Sequence, residues 1–519
     1  MNTALPQVGP VGMGMHPGIY PDDEHNRTLV SNVHPPDWKN PDPAPRYNLV
    51  VIGAGTAGLV TAAGAAALGA KVALVERQLF GGDCLNTGCV PSKSVIRASR
   101  VIAEFKLARR LGAPVPKDAQ ADFGTVMERM RRIRAHISDH DSVRRFQELG
   151  MDVFLGDAHF AGPDSVEVAG KRLRFKKAVI ATGARAVVPP IEGLADAGYL
   201  TNETIFNLTE RPNRLLVMGG GPIGCELSQA FRRLGSQVTI VEMAPRFLTR
   251  EDPDATQILA RALERDGITT LLNTKVKRVV CSRGEKQVHL ESNGKEFVIG
   301  TDTILVGIGR APNVEGLGLE TAGVKYDTKA GVHVNDRLQT TNPRIYAAGD
   351  VCLAYKFTHT ADATARIVIQ NSLFLGRKKW TTLTIPWCTY TDPEIAHVGM
   401  YEAEARVKGI AVDTFHVPLS EVDRAIADGE EEGFVKIHVK KGTDQILGAT
   451  IVARHAGEMM NEISLAIVHK IGLRGIASVI HPYPTQAEAI RKAADSYNRT
   501  RLTPFVKALL SRWLNWTAA

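Results

Sequence analysis

The strongest constraint on the fold is a repeated string of apolar strand, glycine turn and helix. Residues 47–52 read YNLVVI and run into GAGTAG (53–58); an Ala-rich helix from Leu59 to Leu68 then leads to a second strand, KVALVE. The same grammar returns at RLLVM (214–218), GGGPIG (219–224), a helix through Glu226 to Leu234, and QVTIVE (237–242). In both copies the acidic residue closing the second strand, Glu76 or Glu242, stands 18 positions after the last glycine of its turn. Short apolar runs followed by helices are the pattern of parallel strands buried on both faces. Gly53 and Gly219 allow the sharp turn, Gly55 and Gly221 let the backbone approach a pyrophosphate, and Gly58 and Gly224 permit close helix packing. The helix N-terminus then favours phosphate charge, and Glu76 or Glu242 can accept hydrogen bonds from a ribose. Two such sites in one chain point to a nicotinamide in one and a second redox carrier, FAD, in the other.

At 519 residues the chain is long enough for two to four domains. Its 44% hydrophobic and 23% charged residues match an ordinary globular mixture. A net charge of +8 is small for this length and does not indicate nucleic acid. The densest basic run, ERMRRIRAH (128–136), has Val126, Met130, Ile133 and Ile137 at helical spacing, so its arginines are expected on the wet side of an amphipathic helix. No stretch has the ~18 uninterrupted apolar residues of a membrane span, and no secretory signal pattern opens the chain, so a cytoplasmic location is expected.

Two of the six cysteines, Cys84 and Cys89, sit five apart in GGDCLNTGCVPSK (81–93). In a reducing compartment such a pair suits catalysis, redox sensing or metal binding better than a permanent staple. Cys225, Cys281, Cys352 and Cys388 occur singly, so a structural zinc site has no second arm. They read as buried small hydrophobes, with Cys225 packing its helix on the sheet.

GAGTAG, GGDCLNTGCVPSK, ATGAR, GGGPIGCE, GIGRAPN, AAGD and HPYPTQAE follow one another in an order that resembles the class I flavin disulfide oxidoreductases over about residues 46–500. The resemblance implies an α/β fold with two Rossmann-like domains, for FAD and NAD(P), and a C-terminal α+β dimerisation domain. The expected boundaries are an extended arm over 1–45, a discontinuous FAD domain over 46–190 and 304–382, an NAD(P) domain over 191–303, a dimerisation domain over 383–503 and an amphipathic tail over 504–519. Packing of that tail on its own globule is expected ahead of a membrane or partner contact.

By the same resemblance, Gly82, Thr182, Gly183 and Asp350 would join Gly53, Gly55, Gly58 and Glu76 at FAD. Ile223 and Gly309 would join Gly219, Gly221, Gly224 and Glu242 at the nicotinamide cofactor. Lys93 would approach the flavin and pair with Glu226. Cys89 would be the flavin-facing thiol of a redox-active disulfide and Cys84 the interchange thiol. A nearby cation and a helix N-terminus would favour the Cys89 thiolate. Glu242 suits the ribose hydroxyls of NADH and would repel a 2′-phosphate, which favours NADH, although Arg246 stands close in sequence.

One position departs from the disulfide-reducing members. Where they carry a histidine paired with a glutamate, the string His481-Pro482-Tyr483-Pro484-Thr485-Gln486-Ala487-Glu488 places Tyr483. A phenol titrates near ~10 and shuttles protons poorly at neutral pH. His481 is expected to be a surface or loop-packing histidine rather than to replace it. Tyrosine here is similar to the mercuric-reductase type, with a metal ion or another non-disulfide acceptor, for which Cys84 and Cys89 would serve as transient ligands. The sequence has neither a Cys-x-x-Cys nor adjacent cysteines to deliver such an ion. The resemblance further implies a homodimer in which Tyr483 and Glu488 face the partner's Cys84. The competing readings are a dihydrolipoamide dehydrogenase-like or transhydrogenase-like diaphorase and a non-catalytic thiol sensor.

Overall fold

The computed structural model describes residues 18–115, 120–282 and 284–518. The chain forms two compact units, one comprising the residues up to Arg246 with Gly267–Leu383, the other Phe247–Asp266 with Thr384–Ala519.

The first unit contains both repeats. In the first sheet Tyr47–Ile52 lies between Val72–Glu76 and Lys171–Ile180, all parallel, with Asp152–Leu155 at one edge. The strand Ile345–Ala347 returns to this sheet on the far side of Lys171–Ile180. Leu49, Val50 and Val51 are fully buried, as strands covered on both faces require. The second sheet repeats the order with Arg214–Met218 between Gln237–Val241 and Thr303–Val306, and Thr269–Leu271 at the edge. The expected boundary at 303–304 therefore cuts a strand that belongs wholly to the second sheet.

The second unit is a five-stranded antiparallel sheet in the order Trp387–Thr389, Glu394–Gly399, Ile446–Ala453, Phe434–Lys440, Val412–Pro418. Its core joins alternating strand residues such as Val435, Ile437 and Val439 to Met460 and Ile463 of helix Ala456–Val468 and Ile490 of helix Glu488–Thr500. The segment Phe247–Asp266, expected inside the NAD(P) domain, is part of this unit. Its Glu251 carboxylate accepts from Trp387 Nε1 and Tyr401 Oη at 2.6 Å each, and its Asp252 and Asp254 pair with Lys436.

Three further expectations are corrected. Within the supposed extended arm, Glu24–Val33 is a helix capped by Asp23, and Leu29, Val30 and Val33 are buried; this short apolar stripe outweighs the polar composition around it. The arm's residues 1–17 lie outside the described residues. In helix Phe123–Ser138, Arg131 and Arg134 are buried rather than solvated. Arg131 pairs with Asp23, while Arg134 donates to Asn26 Oδ1 at 2.7 Å and to the Asn86 carbonyl at 2.9 Å. The N-terminal helix and its cap thus supply, together with the Asn86 carbonyl, the partners that make burial of these cations tolerable. Finally, the tail forms helix Pro504–Ala518 with no buried residue, so it does not pack on its own globule.

Candidate active site

The two glycine turns have nearly identical geometry. Gly53 and Gly219 adopt φ of +103° and +108°, where a side chain would be strained. A Cβ on Gly58 would lie 1.7 Å from the Gly53 carbonyl oxygen, and one on Gly224 would lie 2.0 Å from that of Gly219. Helices Thr56–Ala67 and Pro222–Arg233 therefore start hard against their strands, with Gly55 and Gly221 as N-caps that offer no side chain. The closing carboxylates match as well. Glu76 accepts from the amides of Ala54 and Gln78 at 2.6 and 2.8 Å, and Glu242 from those of Gly220 and Ala244 at 2.6 and 2.7 Å. Burial raises the Glu76 carboxyl above its ordinary range.

The residues fit a dinucleotide at the first turn. Gly82, at φ +55°, brings its backbone so near Gly55 that a Cβ would stand 2.7 Å from the Gly55 Cα, leaving a cradle lined by main chain alone. Asp350 lies in the turn Gly349–Val351. A Cβ on Gly349 would meet Ala57 of the glycine-turn helix at 3.1 Å and Ala361 of helix Thr358–Leu373 at 3.4 Å. Burial raises the Asp350 carboxyl, opposed by Arg310 and Lys356. Thr182 exchanges hydrogen bonds with Asn313, and Gly183 turns at φ +68° beside it. At the second turn no atom stands within 4 Å of a Cβ on Gly221, and Gly309, at φ +145°, is equally open. Ile223 is half-buried in the first turn of Pro222–Arg233.

Cys84 lies in the short helix Gly82–Asn86, while Cys89 opens helix Cys89–Arg110 at its first position. Both are free thiols that hydrogen-bond each other, and Cys89 Sγ also lies 3.3 Å from Thr358 Oγ1. The contact with Cys84 pushes the Cys89 thiol down to about 6; the Thr358 hydroxyl and Lys93 act in the same direction, against burial. Cys84 moves the other way, because its proton is shared with Cys89 and because it is desolvated. Cys89 is exposed by surface area, yet enough protein surrounds its sulfur for desolvation to weigh against the thiolate. One turn along the same helix, Lys93 Nζ lies 2.8 Å from Glu226 Oε2. The Glu226 side chain is 7% exposed, so this pair ties the cysteine helix to the second glycine-turn helix in a poorly solvated setting.

Several residues at this site went unassigned in the sequence. Arg310, within GIGRAPN, bonds Asp83 between the cysteines and the glycine turn, donates to the Ala184 carbonyl at 2.6 Å and lies 3.8 Å from Asp350. Asp141 lies near Cys84, its carboxyl raised by burial. Thr358 is the first residue of helix Thr358–Leu373, after the N-cap Phe357, and no pattern in the sequence marks its hydroxyl. Of the four single cysteines expected to be buried, Cys225 is fully buried and donates to the Gly220 carbonyl, Cys352 and Cys388 are half-buried, and Cys281, on an exposed stretch of strand Thr274–Ser282, is corrected to a surface residue.

Tyr483 and Glu488 belong to the second unit. Tyr483 is 69% exposed and donates to Asp423 Oδ2 at 2.9 Å, a bond that raises its phenol further. Glu488 begins helix Glu488–Thr500, and its Oε2 is buried without a hydrogen-bond partner. His481 packs its loop: its side chain is 6% exposed, with Nε2 2.9 Å from Glu462 and Nδ1 3.1 Å from the Val479 carbonyl. Among the described residues no group of three or more His, Cys, Asp or Glu could hold a metal ion, and no helix is long and apolar enough to cross a membrane.

Comparison with known proteins agrees with this geometry. A family model described as pyridine nucleotide-disulphide oxidoreductase matches residues 47–365, and the model of that family's dimerisation domain matches residues 385–494. The chain is 36% identical to a mercuric reductase of Staphylococcus aureus, covering 87% of this chain and 83% of that protein. It is 34% identical to a dihydrolipoyl dehydrogenase of Thermus scotoductus, covering 87% and 98%. Among solved structures, the Cu(II) complex of the HOCl-induced flavoprotein disulfide reductase RclA from Escherichia coli superposes with a TM-score of 0.77 at 28% identity, covering 86% of this chain and 98% of that one.

Proposed function

The chain belongs to the pyridine nucleotide-disulphide oxidoreductase family and is an FAD-dependent enzyme that draws electrons from NAD(P)H, and on that premise we propose that Cys84 and Cys89 pass those electrons to a soft metal ion. When bound, FAD supplies the link between a two-electron hydride donor and single sulfur atoms. The chain's own residues do the rest. The cradle of Gly53, Gly55, Gly58 and Gly82 would hold the pyrophosphate, Glu76 the ribose and Asp350 the polar chain toward the ring, with Thr182 and Gly183 at the cofactor's border. Gly219, Gly221, Ile223, Gly224 and Gly309 form the nicotinamide cofactor's site. Glu242 would accept from the ribose hydroxyls and repel a 2′-phosphate, which favours NADH over NADPH.

The observation that carries the proposal is the unequal pair of thiols. Reduction of the Cys84–Cys89 disulfide takes two electrons and one proton. The proton stays on Cys84, and Cys89 remains a thiolate beside Thr358 and Lys93. Lys93 compensates the negative charge and is itself held by Glu226. The two electrons then pass from the two sulfurs to the acceptor, both to one Hg(II) or one each to two Cu(II); the disulfide re-forms and the Cys84 proton leaves to water. No proton needs to reach the acceptor, which agrees with Tyr483, a phenol bound to Asp423, standing where disulfide reducers keep a histidine. The Cu(II) complex of RclA and the likeness to mercuric reductase support a metal acceptor.

We further infer a homodimer, from the dimerisation-domain match, in which Tyr483 and Glu488 complete the partner's site. The buried, unpartnered Glu488 Oε2 favours a polar group arriving there. The cytoplasm, where reduced pyridine nucleotides are held, is the compartment we assign. The test is anaerobic titration with NADH followed by acceptor screening. Oxidation of NADH stimulated by Hg(II) or Cu(II), and lost in Cys84→Ala, is expected. Turnover with lipoamide in preference to either ion would overturn the metal reading.

A further inference from the structure

We propose that helix Pro504–Ala518 is an interfacial anchor that docks the enzyme on an anionic lipid surface. The helix follows Glu488–Thr500, and none of its residues is buried. Phe505 is 77% exposed and Trp516 71%, values unusual for large apolar side chains without a partner. At about 100° per residue, Phe505, Leu509, Leu510, Trp513, Leu514 and Trp516 occupy one half of the helix circumference. Trp513 and Trp516 lie side by side on that half, ring centroids 5.2 Å apart. Ser511 and Asn515 lie opposite. Lys507 falls on one margin of the apolar half and Arg512 on the other, where a long cationic side chain can reach headgroups while its stem lies along the apolar face.

Charge selects the occupant. Beyond Asp495 the sequence holds Arg499, Arg501, Lys507 and Arg512 and no acidic side chain. Two copies of this helix face to face would bring like charges together along both flanks, since no Glu or Asp is present to answer them. An anionic bilayer supplies the missing charge, and indole rings favour the headgroup boundary. The helix has 15 residues, about 22 Å of rise, which is short of the ~30 Å hydrocarbon core. It therefore lies in the interface and does not cross.

The test is flotation of the full-length holoenzyme with vesicles of phosphatidylcholine containing roughly one-third phosphatidylglycerol, beside vesicles of phosphatidylcholine alone. Co-flotation is expected with the anionic vesicles only, accompanied by a blue shift of tryptophan emission. A chain ended after Thr503 should lose both while keeping its NADH-oxidising activity and its oligomeric mass. In case truncation disturbs folding, Lys507→Gln with Arg512→Gln should weaken binding about 30-fold. Absence of full-length enzyme from the anionic vesicles at low salt would overturn the proposal. So would equal binding by the truncated chain, or loss of oligomeric mass on truncation without lipid binding, which would assign the helix to a second copy of this chain.

Discussion

Removing the Cys84 sulfur should return Cys89 toward an ordinary thiol. With its thiol pushed down to about 6, Cys89 is about 90% thiolate at pH 7, whereas a thiol at ~8.5 is about 3% thiolate. The contact with Cys84 is the first cause of the depression, ahead of Thr358 and Lys93. Cys84→Ala should therefore shift the midpoint of Cys89 ionisation upward and cut the thiolate at pH 7 by up to about 30-fold, the ratio of those two fractions. Thr358→Val, which removes the hydroxyl 3.3 Å from the sulfur, should shift it in the same direction by less. The sign is fixed because both groups donate to the charged form. The assay is the pH dependence of Cys89 alkylation by iodoacetamide in the reduced holoenzyme, read by peptide mass spectrometry. A wild-type midpoint near 8.5, or a midpoint unmoved in both variants, would refute the reasoning.

Three further outcomes are expected. Asn26→Ala leaves the buried Arg134 guanidinium without one of its acceptors and should cost about 1–3 kcal/mol of stability, read as a lowered denaturant midpoint; Asn26→Asp should retain more of it. Gly82→Ala places a methyl 2.7 Å from the Gly55 Cα, so the purified protein should carry much less flavin, measured by absorbance after denaturation. Tyr483→His should raise turnover with lipoamide or another disulfide while leaving NADH-dependent reduction of the cysteine pair unchanged. No gain would remove Tyr483 from the argument about acceptors.

The parallel sheets were legible because their signals are local. A strand buried on both faces reads as an apolar run, and a turn at φ above +100° followed by tight helix packing demands the glycines of 53–58 and 219–224. Both cysteines were visible for the same reason. What escaped depends on partners distant in sequence. Arg131 and Arg134 read as solvated because nothing within ten residues reveals that Asp23, Asn26 and the Asn86 carbonyl will surround them. Arg310 stands within the GIGRAPN motif, but its bridge from Asp83 to the neighbourhood of Asp350 exists only once three loops converge. The segment 247–266 is contiguous in sequence with the second glycine repeat, whereas Trp387, Tyr401 and Lys436 hold it in the other unit.

The residues preceding the first repeat also guard a flank. Asp152–Leu155 is the outermost strand of its sheet, and Asn40 exchanges two hydrogen bonds with the Leu155 backbone, at 2.8 and 2.9 Å, while Trp38 Nε1 donates to the Val153 carbonyl. A chain shortened to begin at Tyr47, where the family match starts, would keep every glycine and cysteine discussed above. It would also bare that strand's free polar groups, inviting sheet-to-sheet association between molecules. Low yield or clumping of so shortened a protein would then report a lost edge guard, not a defective cofactor site.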